Sequence, residues 1–410
     1  MQTVQFKLPK LGMDKLSDET SIPQGAWRTI TNIDVSRAGQ MSVREGFARI
    51  ATGEYYSLWY ALQRGVMLAA KNGTLYSINT ATGAATALIN TGSQTIINYC
   101  EYNGNIYAVN AGGVFTIPSG SSTASRCGTA APQPPTVSAS PNGGLVAGKY
   151  AVAISTINAA GEESGSTAPQ VVTLTADGGI QLSDLPIVSG GKVAIFVTTT
   201  NGDVLYEYTQ APATFTTHLI SATPQGSPIR TEYMAPLPGG HVVRWHNGRL
   251  YVASSDTLWY SDPFTPHLTQ TSTNFVQFSG TISFVEAVQG GIYVGDTRGV
   301  WFLDGGDPTK FVLKRVSGCR AVPGTSLIVP NEHFNPKVVN TQLPVAVWLC
   351  TSGYAVGTSE GSVIELNADK VRVPISETGA TTFAIRKGRK QLVTLVNTPS
   401  DASGQAEDTL

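Results

Sequence analysis

The residues best suited to chemistry in this chain are carboxylates and histidines. Asp256, Asp262, Asp296, Asp304 and Asp307 sit near the ends of apolar runs, and histidines stand at 218, 241, 246, 267 and 333. Paired carboxylates at a controlled separation are what glycoside hydrolysis needs, one raised in pKa as the acid and one ionised. None of these aspartates carries a motif, however, and each falls where a hairpin turn uses Asp or Asn to satisfy backbone groups, so turn chemistry is the simpler reading. His241 and His246 flank Arg244-Trp245, but an i, i+5 separation puts them on opposite faces of a strand, a poor arrangement for one metal ion. His218, His267 and His333 are isolated, and no serine or cysteine is tied to a histidine base by a local signature. Cys100, Cys127, Cys319 and Cys350 are scattered without a CxxC pair and read as buried thiols. The glycines lie in hairpin-like contexts and not between a strand and a helix, so no phosphate loop is present. The sequence therefore assigns no catalytic, cofactor-binding or metal-binding residue, and the expectation is a protein that is not an enzyme and needs no cofactor.

The elements that would position such residues are strands. The chain has 410 residues with 43 glycines, 23 prolines and only 13% charged residues, the composition of many short strands joined by tight turns. With 41% hydrophobic residues it has ample material for a core. A formal charge of −1 gives no excess of positive charge to neutralise phosphates, which argues against wrapping nucleic acid and leaves a neutral duct for DNA compatible. No stretch approaches the ~20 apolar residues of a membrane span, and the first residues lack an uninterrupted apolar core, so a soluble chain without a cleaved signal or stable membrane insertion is expected.

A repeat organises these strands. A turn glycine followed by an alternating apolar strand recurs as Arg64-Gly-Val-Met-Leu-Ala-Ala, Asn103-Gly-Asn-Ile-Tyr-Ala-Val, Asn247-Gly-Arg-Leu-Tyr-Val-Ala, Gly290-Gly-Ile-Tyr-Val-Gly and Ser352-Gly-Tyr-Ala-Val-Gly. Each is followed, eight or nine residues on, by a partner strand beginning at 73, 113, 256, 299 or 361. Asn-Gly or Gly supplies the positive φ of a tight hairpin, and aromatic and β-branched residues fit a pleated, half-buried surface. Successive hairpins start 39 residues apart (65 to 104) and 43 apart (248 to 291), the length of a four-stranded propeller blade. The surplus in the step from 291 to 353 falls in residues 323–344, which read as a long loop. Lys387-Gly-Arg-Lys-Gln-Leu-Val-Thr-Leu-Val is a weaker sixth copy, and Gly39-Gln-Met-Ser-Val-Arg-Glu-Gly-Phe is expected to be a first strand that closes the last blade.

The step from 104 to 248 is about 100 residues too long for one blade. The surplus begins at Ala131-Pro-Gln-Pro-Pro and ends near Met234-Ala-Pro-Leu-Pro-Gly-Gly, two proline-rich joints. Within it, Gly148-Lys-Tyr-Ala-Val-Ala-Ile-Ser-Thr-Ile alternates as a strand and Asn201-Gly202 centres a hairpin, the grammar of a β-sandwich. The expected fold is all-β: a β-propeller of about six blades with an inserted immunoglobulin/fibronectin-like β-sandwich. The expected parts are an N-terminal arm (1–38), a first propeller part (39–130), the sandwich (131–235), a second propeller part (236–397) and a flexible tail (398–410). Ser254-Ser-Asp256-Thr-Leu-Trp lacks the glycine and spacing of the repeated aspartate box of sialidase-type propellers. Tyr76, Tyr107, Tyr251, Trp259, Tyr293 and Trp301 hold a fixed place within the hairpins, which favours packing between blades over a sugar-stacking platform.

Three segments carry a family resemblance: Ala26-Trp-Arg-Thr-Ile-Thr-Asn32-Ile-Asp34-Val-Ser-Arg-Ala-Gly39-Gln-Met-Ser-Val-Arg44-Glu-Gly46-Phe, the run from Gly239 to Pro263, and Ala147 to Gly165 in the sandwich. In this order they resemble the tail nozzle or tail-hub propellers of tailed bacteriophages, whose opening runs Asn-x-Asp, a polar turn, then Arg-x-Gly. The resemblance implies a structural virion protein of the phage tail, assembled in the host cytoplasm into a ring around the DNA exit path. Its implied partners are copies of itself (six favoured, three as the alternative), other tail proteins and, transiently, genomic DNA. It supplies no catalytic residue. A receptor- or glycan-binding tail propeller, depolymerising or not, is the alternative reading. The low charge and the long loops at 265–280, uncharged, and 323–344, charged only at Glu332 and Lys337, suggest surface buried between subunits, with those loops reaching neighbours or the channel.

Overall fold

A computed structural model describes residues 11–35, 40–44, 46, 48–335, 337–374, 376–386 and 389–397. Each predicted hairpin forms. In the Asn103-Gly104 and Asn247-Gly248 turns both residues have positive φ (49° and 74°, 44° and 78°), the conformation that matches the twist of the flanking strands. Around these turns the chain builds five four-stranded antiparallel sheets in series. The first sheet holds Tyr56–Ala61, Val66–Lys71, Thr74–Ile78 and Ala85–Asn90, and the second Asn98–Tyr102, Asn105–Asn110, Gly113–Ile117 and Ser125–Arg126. The third holds Val242–His246, Arg249–Ser254, Thr257–Tyr260 and Phe275–Gln277, and the fourth Phe284–Val288, Gly291–Asp296, Gly299–Asp304 and Val312–Ser317. The fifth holds Leu327–Val329, Val345–Cys350, Gly353–Gly357 and Val363–Glu365, and a hairpin of Thr378–Arg386 with Arg389–Asn397 comes last. The turn of that hairpin, at 387–388, lies outside the described residues, as does 398–410.

Alternating side chains of each sheet bury against the next, so the core is a chain of separate apolar layers. Leu68, Leu75, Ile106 and Phe115 fill the first; Tyr107, Val243, Leu250 and Val252 the second; Tyr251, Leu258, Ile292 and Val294 the third. Tyr293, Phe302, Ala346 and Trp348 fill the fourth, and Val345, Val347 and Val356 meet Phe383 and Leu392 of the last hairpin in the fifth. First strands of successive sheets lie against one another, which places them innermost and makes the sheets blades of a β-propeller.

Between the second and third blades sits a sandwich. Its three-stranded sheet runs Thr136–Leu145, Gly178–Ser183, His218–Ile220, and its four-stranded sheet runs Gln170–Leu174, Gly148–Ile157, Lys192–Thr198, Leu205–Pro212. Leu145, Tyr150, Ile154, Ile180, Leu182 and Ile195 close the space between them.

Three expectations need correction. Residues 323–344 are not simply a loop: Leu327–Val329 pairs with Val345–Cys350 and becomes the first strand of the fifth blade. The repeated hairpin therefore occupies the second and third strands of the first four blades but the third and fourth strands of the fifth. The loop at 265–280 folds back on its own chain, since Thr269–Gln270 pairs with Met234–Ala235 and Phe275–Gln277 is the outer strand of the third blade. Met41–Val43, expected to close the last blade, pairs with Ile33–Val35 of the arm, a local hairpin whose loop costs little entropy to close. Residues 36–39, 45 and 47 of that segment lie outside the described residues.

Candidate functional site

A polar thread crosses the innermost strands. Glu286 is the third residue of Phe284–Val288, and only 2% of its side chain is exposed. Arg244, the third residue of Val242–His246 on the neighbouring blade, grips it with two hydrogen bonds: Nε donates to Oε2 (3.0 Å) and Nη2 to Oε1 (2.6 Å). The guanidinium turns its remaining nitrogen the other way, where Nη1 donates to Oδ1 of Asn98 (2.7 Å) and to the Val243 carbonyl (2.7 Å). Asn98 begins the inner strand of the second blade, and its Oδ1 also accepts the Val243 N–H at 3.1 Å. On the far side, Ser326 Oγ donates to Glu286 Oε1 at 2.8 Å from just before the inner strand of the fifth blade. Ser57 extends the pattern to the first blade by accepting the Ile97 N–H at 2.8 Å.

One side chain per blade thus links the second to the fifth. Burial works against the charge of Arg244, but the Glu286 carboxylate outweighs it and holds the guanidinium above its ordinary value. The Cys100 thiol beside them is pushed up to about 12 by burial, offset in part by Arg244. A bidentate pair with its remaining donors occupied is geometrically specific, and it fixes the relative position of blades without leaving a carboxyl free to exchange a proton with substrate.

The five aspartates serve their own turns and strands. Asp296, fully buried, accepts the backbone N–H groups of Arg298 (2.7 Å) and Gly299 (3.0 Å) across its hairpin. Asp256 accepts from Thr257 Oγ1, Asp262 from Asn274 Nδ2, and Asp304 pairs with Lys314. Asp307 accepts from the N–H and hydroxyl of Thr309, which hold its carboxyl below the usual range. His241 contacts the Ile282 carbonyl at 2.7 Å through Nε2, and His333 stacks on Phe383. Among the described residues no three His, Cys, Asp or Glu side chains gather as a metal site. Cys100, Cys127 and Cys350 are buried and Cys319 is half-buried, all four as free thiols.

Tyr107, Tyr251 and Tyr293 are buried between blades, with Trp259 and Trp301 packed at the edges of the same layers. Tyr76 instead stays half-buried against Tyr55. Sequence reasoning missed the Arg244–Glu286 pair. Its signal was a lone charge at the centre of an otherwise apolar strand, in Val-Val-Arg-Trp and again in Phe-Val-Glu-Ala.

Two concavities were also not foreseen. One of about 660 Å³ opens between the second and third blades, lined by Gln94, Thr95, Ile96, Gly239, His241 and Ser254. One of about 440 Å³ lies on the sandwich, where Lys149, Asn201, Asp203, Glu232 and Tyr233 surround Val171. Tyr233 holds a φ of +60°, uncommon for an aromatic residue.

No protein-family model and no curated protein matches this chain. Among solved structures, the extracellular domain of the putative one-component system BT4673 from B. thetaiotaomicron is 14% identical with a TM-score of 0.31, and the match covers 87% of this chain but 38% of that one. BBS1N in complex with ARL6DN is 11% identical with a TM-score of 0.35, covering 85% of this chain and 91% of that one. Kluyveromyces lactis Hsv2 is 8% identical with a TM-score of 0.27, covering 84% and 98%.

Proposed function

We propose that this chain is a structural component of a bacteriophage tail, a subunit of a ring around the DNA exit path that works by assembly and not by catalysis. One observation carries the reading. The Asn98–Arg244–Glu286–Ser326 thread ties blade to blade inside the molecule, while large apolar side chains such as Leu58, Leu62 and Val43 stand exposed. Subunit contacts are where exposed apolar side chains become buried. The resemblance of the 26–47, 147–165 and 239–263 segments to tail nozzle and hub propellers gives the assembly its class. Near-zero net charge suits a conduit, because little counterion release ties DNA to its wall. Gold-labelled antibody against the inserted sandwich tests the proposal: label at the DNA-exit end of intact particles supports it, and particles that bind no label refute it.

A receptor- or glycan-binding reading has its own observation, the sandwich concavity. Glu232 and Asp203 are acceptors for hydroxyl groups there, Lys149 and Asn201 are donors, and Tyr233 offers a ring. Specific binding of host surface polysaccharide to the isolated protein, lost in Tyr233→Ala, is the result that would favour it.

A further inference from the structure

Two of the four free thiols meet where the fourth blade passes to the fifth. Cys319 lies just beyond Val312–Ser317, the outer strand of the fourth blade, and Cys350 ends Val345–Cys350, the second strand of the fifth. The chain after Cys319 is held against that strand: Ala321 forms an antiparallel bridge with Cys350, and the Val322 N–H donates to the Leu349 carbonyl at 2.9 Å. Ser352, in the turn that follows Cys350, brings the sulfurs together. Its hydroxyl is 3.5 Å from Cys319 Sγ and 3.2 Å from Cys350 Sγ. Thr351 adds a second hydroxyl 3.3 Å from Cys319 Sγ.

The two sulfurs are unequal. Cys350 is 1% exposed, and its S–H donates to the Gly353 carbonyl at 3.2 Å, a bond that only the protonated thiol makes. Burial pushes its pKa up to about 11. Cys319 is half-buried. Burial opposes its ionisation too, but hydrogen bonds from the Thr351 and Ser352 hydroxyls, the Ser352 N–H and the Cys350 thiol outweigh it and hold Cys319 below the ordinary thiol value. The thiolate is the nucleophile of cysteine chemistry, and oxidants select an accessible sulfur of lowered pKa that stands beside a second thiol.

We infer that Cys319 and Cys350 form a modification site for hydroperoxides, in which Cys319 reacts first and Cys350 resolves the product into an internal disulfide. The Cys319 sulfur attacks one oxygen of hydrogen peroxide: an S–O bond forms, the O–O bond breaks, and the departing hydroxide takes the Cys319 proton and leaves as water. The Cys350 sulfur then attacks the Cys319 sulfenic acid. An S–S bond forms, the S–O bond breaks, and the departing hydroxide takes the Cys350 proton as a second water. The two thiols lose two electrons between them, and the peroxide is reduced to water. The link ties the exit of the fourth blade to the fifth and encloses Leu327–Val329, the inner strand of the fifth blade, in a covalent loop. It is independent of self-assembly and of the DNA path.

The test treats the full native chain with a small excess of hydrogen peroxide at neutral pH. Remaining thiols are blocked with N-ethylmaleimide as the chain is unfolded in acid, and its peptides are mapped by mass. The expected product is a 319–350 peptide pair, lighter by two hydrogens than the free peptides and separated by dithiothreitol, with Cys100 and Cys127 still thiols because burial raises both. A map with no 319–350 link, whether Cys319 remains a thiol or has gone on to sulfinic acid, overturns the inference, and so does a link from Cys319 to a second chain. Cys350→Ser separates the two roles: dimedone, which traps sulfenic acid, should label Cys319 of this variant about tenfold or more above Cys319 of the parent, where Cys350 intercepts it. Equal labelling would mean that Cys350 does not resolve. Cys319→Ser, at a half-buried position, should keep the parent's circular dichroism spectrum and leave Cys350 a thiol in peroxide; oxidation of Cys350 at the parent's rate would remove Cys319 from its role. The peptide map of the unaltered chain decides the question even where Cys350→Ser does not fold.

Discussion

Removing Glu286 alone should be far more damaging than removing it together with Arg244. Two unit charges about 4 Å apart interact by about 4 kcal/mol at an effective dielectric of about 20, and single breaks of buried pairs cost about 3–5 kcal/mol. Glu286→Ala leaves the guanidinium with Asn98 and backbone acceptors, and it also frees Ser326 Oγ. We expect a loss of about 3–5 kcal/mol, read as a fall of roughly 6–15 °C in the propeller's Tm. Arg244→Met combined with Glu286→Leu should lie within about 1–2 kcal/mol of the parent, because replacing a whole buried pair by apolar groups removes its desolvation cost along with its attraction. Calorimetric and tryptophan-fluorescence transitions of the parent, this double variant and its two component changes, Arg244→Met and Glu286→Leu, complete a double-mutant cycle. Arg244→Ala leaves the Glu286 carboxylate, at 2% exposure, buried without its cation, and should cost about as much as Glu286→Ala. A single Glu286→Ala change costing under about 1 kcal/mol, or a double variant as damaged as the single, would refute the view that this pair bolts the blades together.

Further expectations follow from the same structure. Excising residues 132–232, which keeps the Met234–Ala235 strand on Thr269–Gln270, should leave a propeller with a cooperative thermal transition; a broad, non-cooperative melt would show that the sandwich is needed for folding. Burial lowers the pKa of His246, His218 and His267 below the unfolded value of 6.5, so their contribution to stability is full above that pH and is lost as pH falls through the folded values. Denaturant titrations from pH 7.5 to 5 should show declining stability, with a shallower decline in His246→Gln. Trp348→Ala, which empties the layer shared with Phe284 and Tyr293, should cost about 3–5 kcal/mol, measured by urea unfolding. Asp256→Asn, Asp262→Asn, Asp296→Asn and Asp304→Asn should each match a parent that releases no reducing sugar from bacterial polysaccharide; release by the parent that one change abolishes would establish an enzyme.

What was legible in the sequence was whatever the backbone demands locally. Asn103-Gly104 and Asn247-Gly248 announced hairpins because few residues accept positive φ, and the proline-rich joints near 131 and 234 announced the sandwich for a similar reason. Innermost strands were harder to see: Leu327–Val329 is three residues long, lies among prolines, and has no glycine between it and its partner strand. Only pairing with Val345–Cys350 makes it a strand, and that partner is 18 residues away (327 to 345). The polar thread was hidden for the same physical reason. Arg244 and Glu286 are 42 residues apart and meet through the rotation of one blade to the next, which no local spacing encodes. The aspartates were read as turn residues because their role is local, and Asp296 with its two backbone N–H groups illustrates why that reading is accessible from sequence.

Our proposal that this chain surrounds the DNA exit path as one subunit of a closed ring is tested by its symmetry and position in intact particles. Cryo-electron microscopy of intact particles, reconstructed around the tail without imposed symmetry, tests it most directly. The expected result is six copies, or three, arranged about the tail axis. A single isolated copy at the tip of a fibre would contradict it and favour receptor binding.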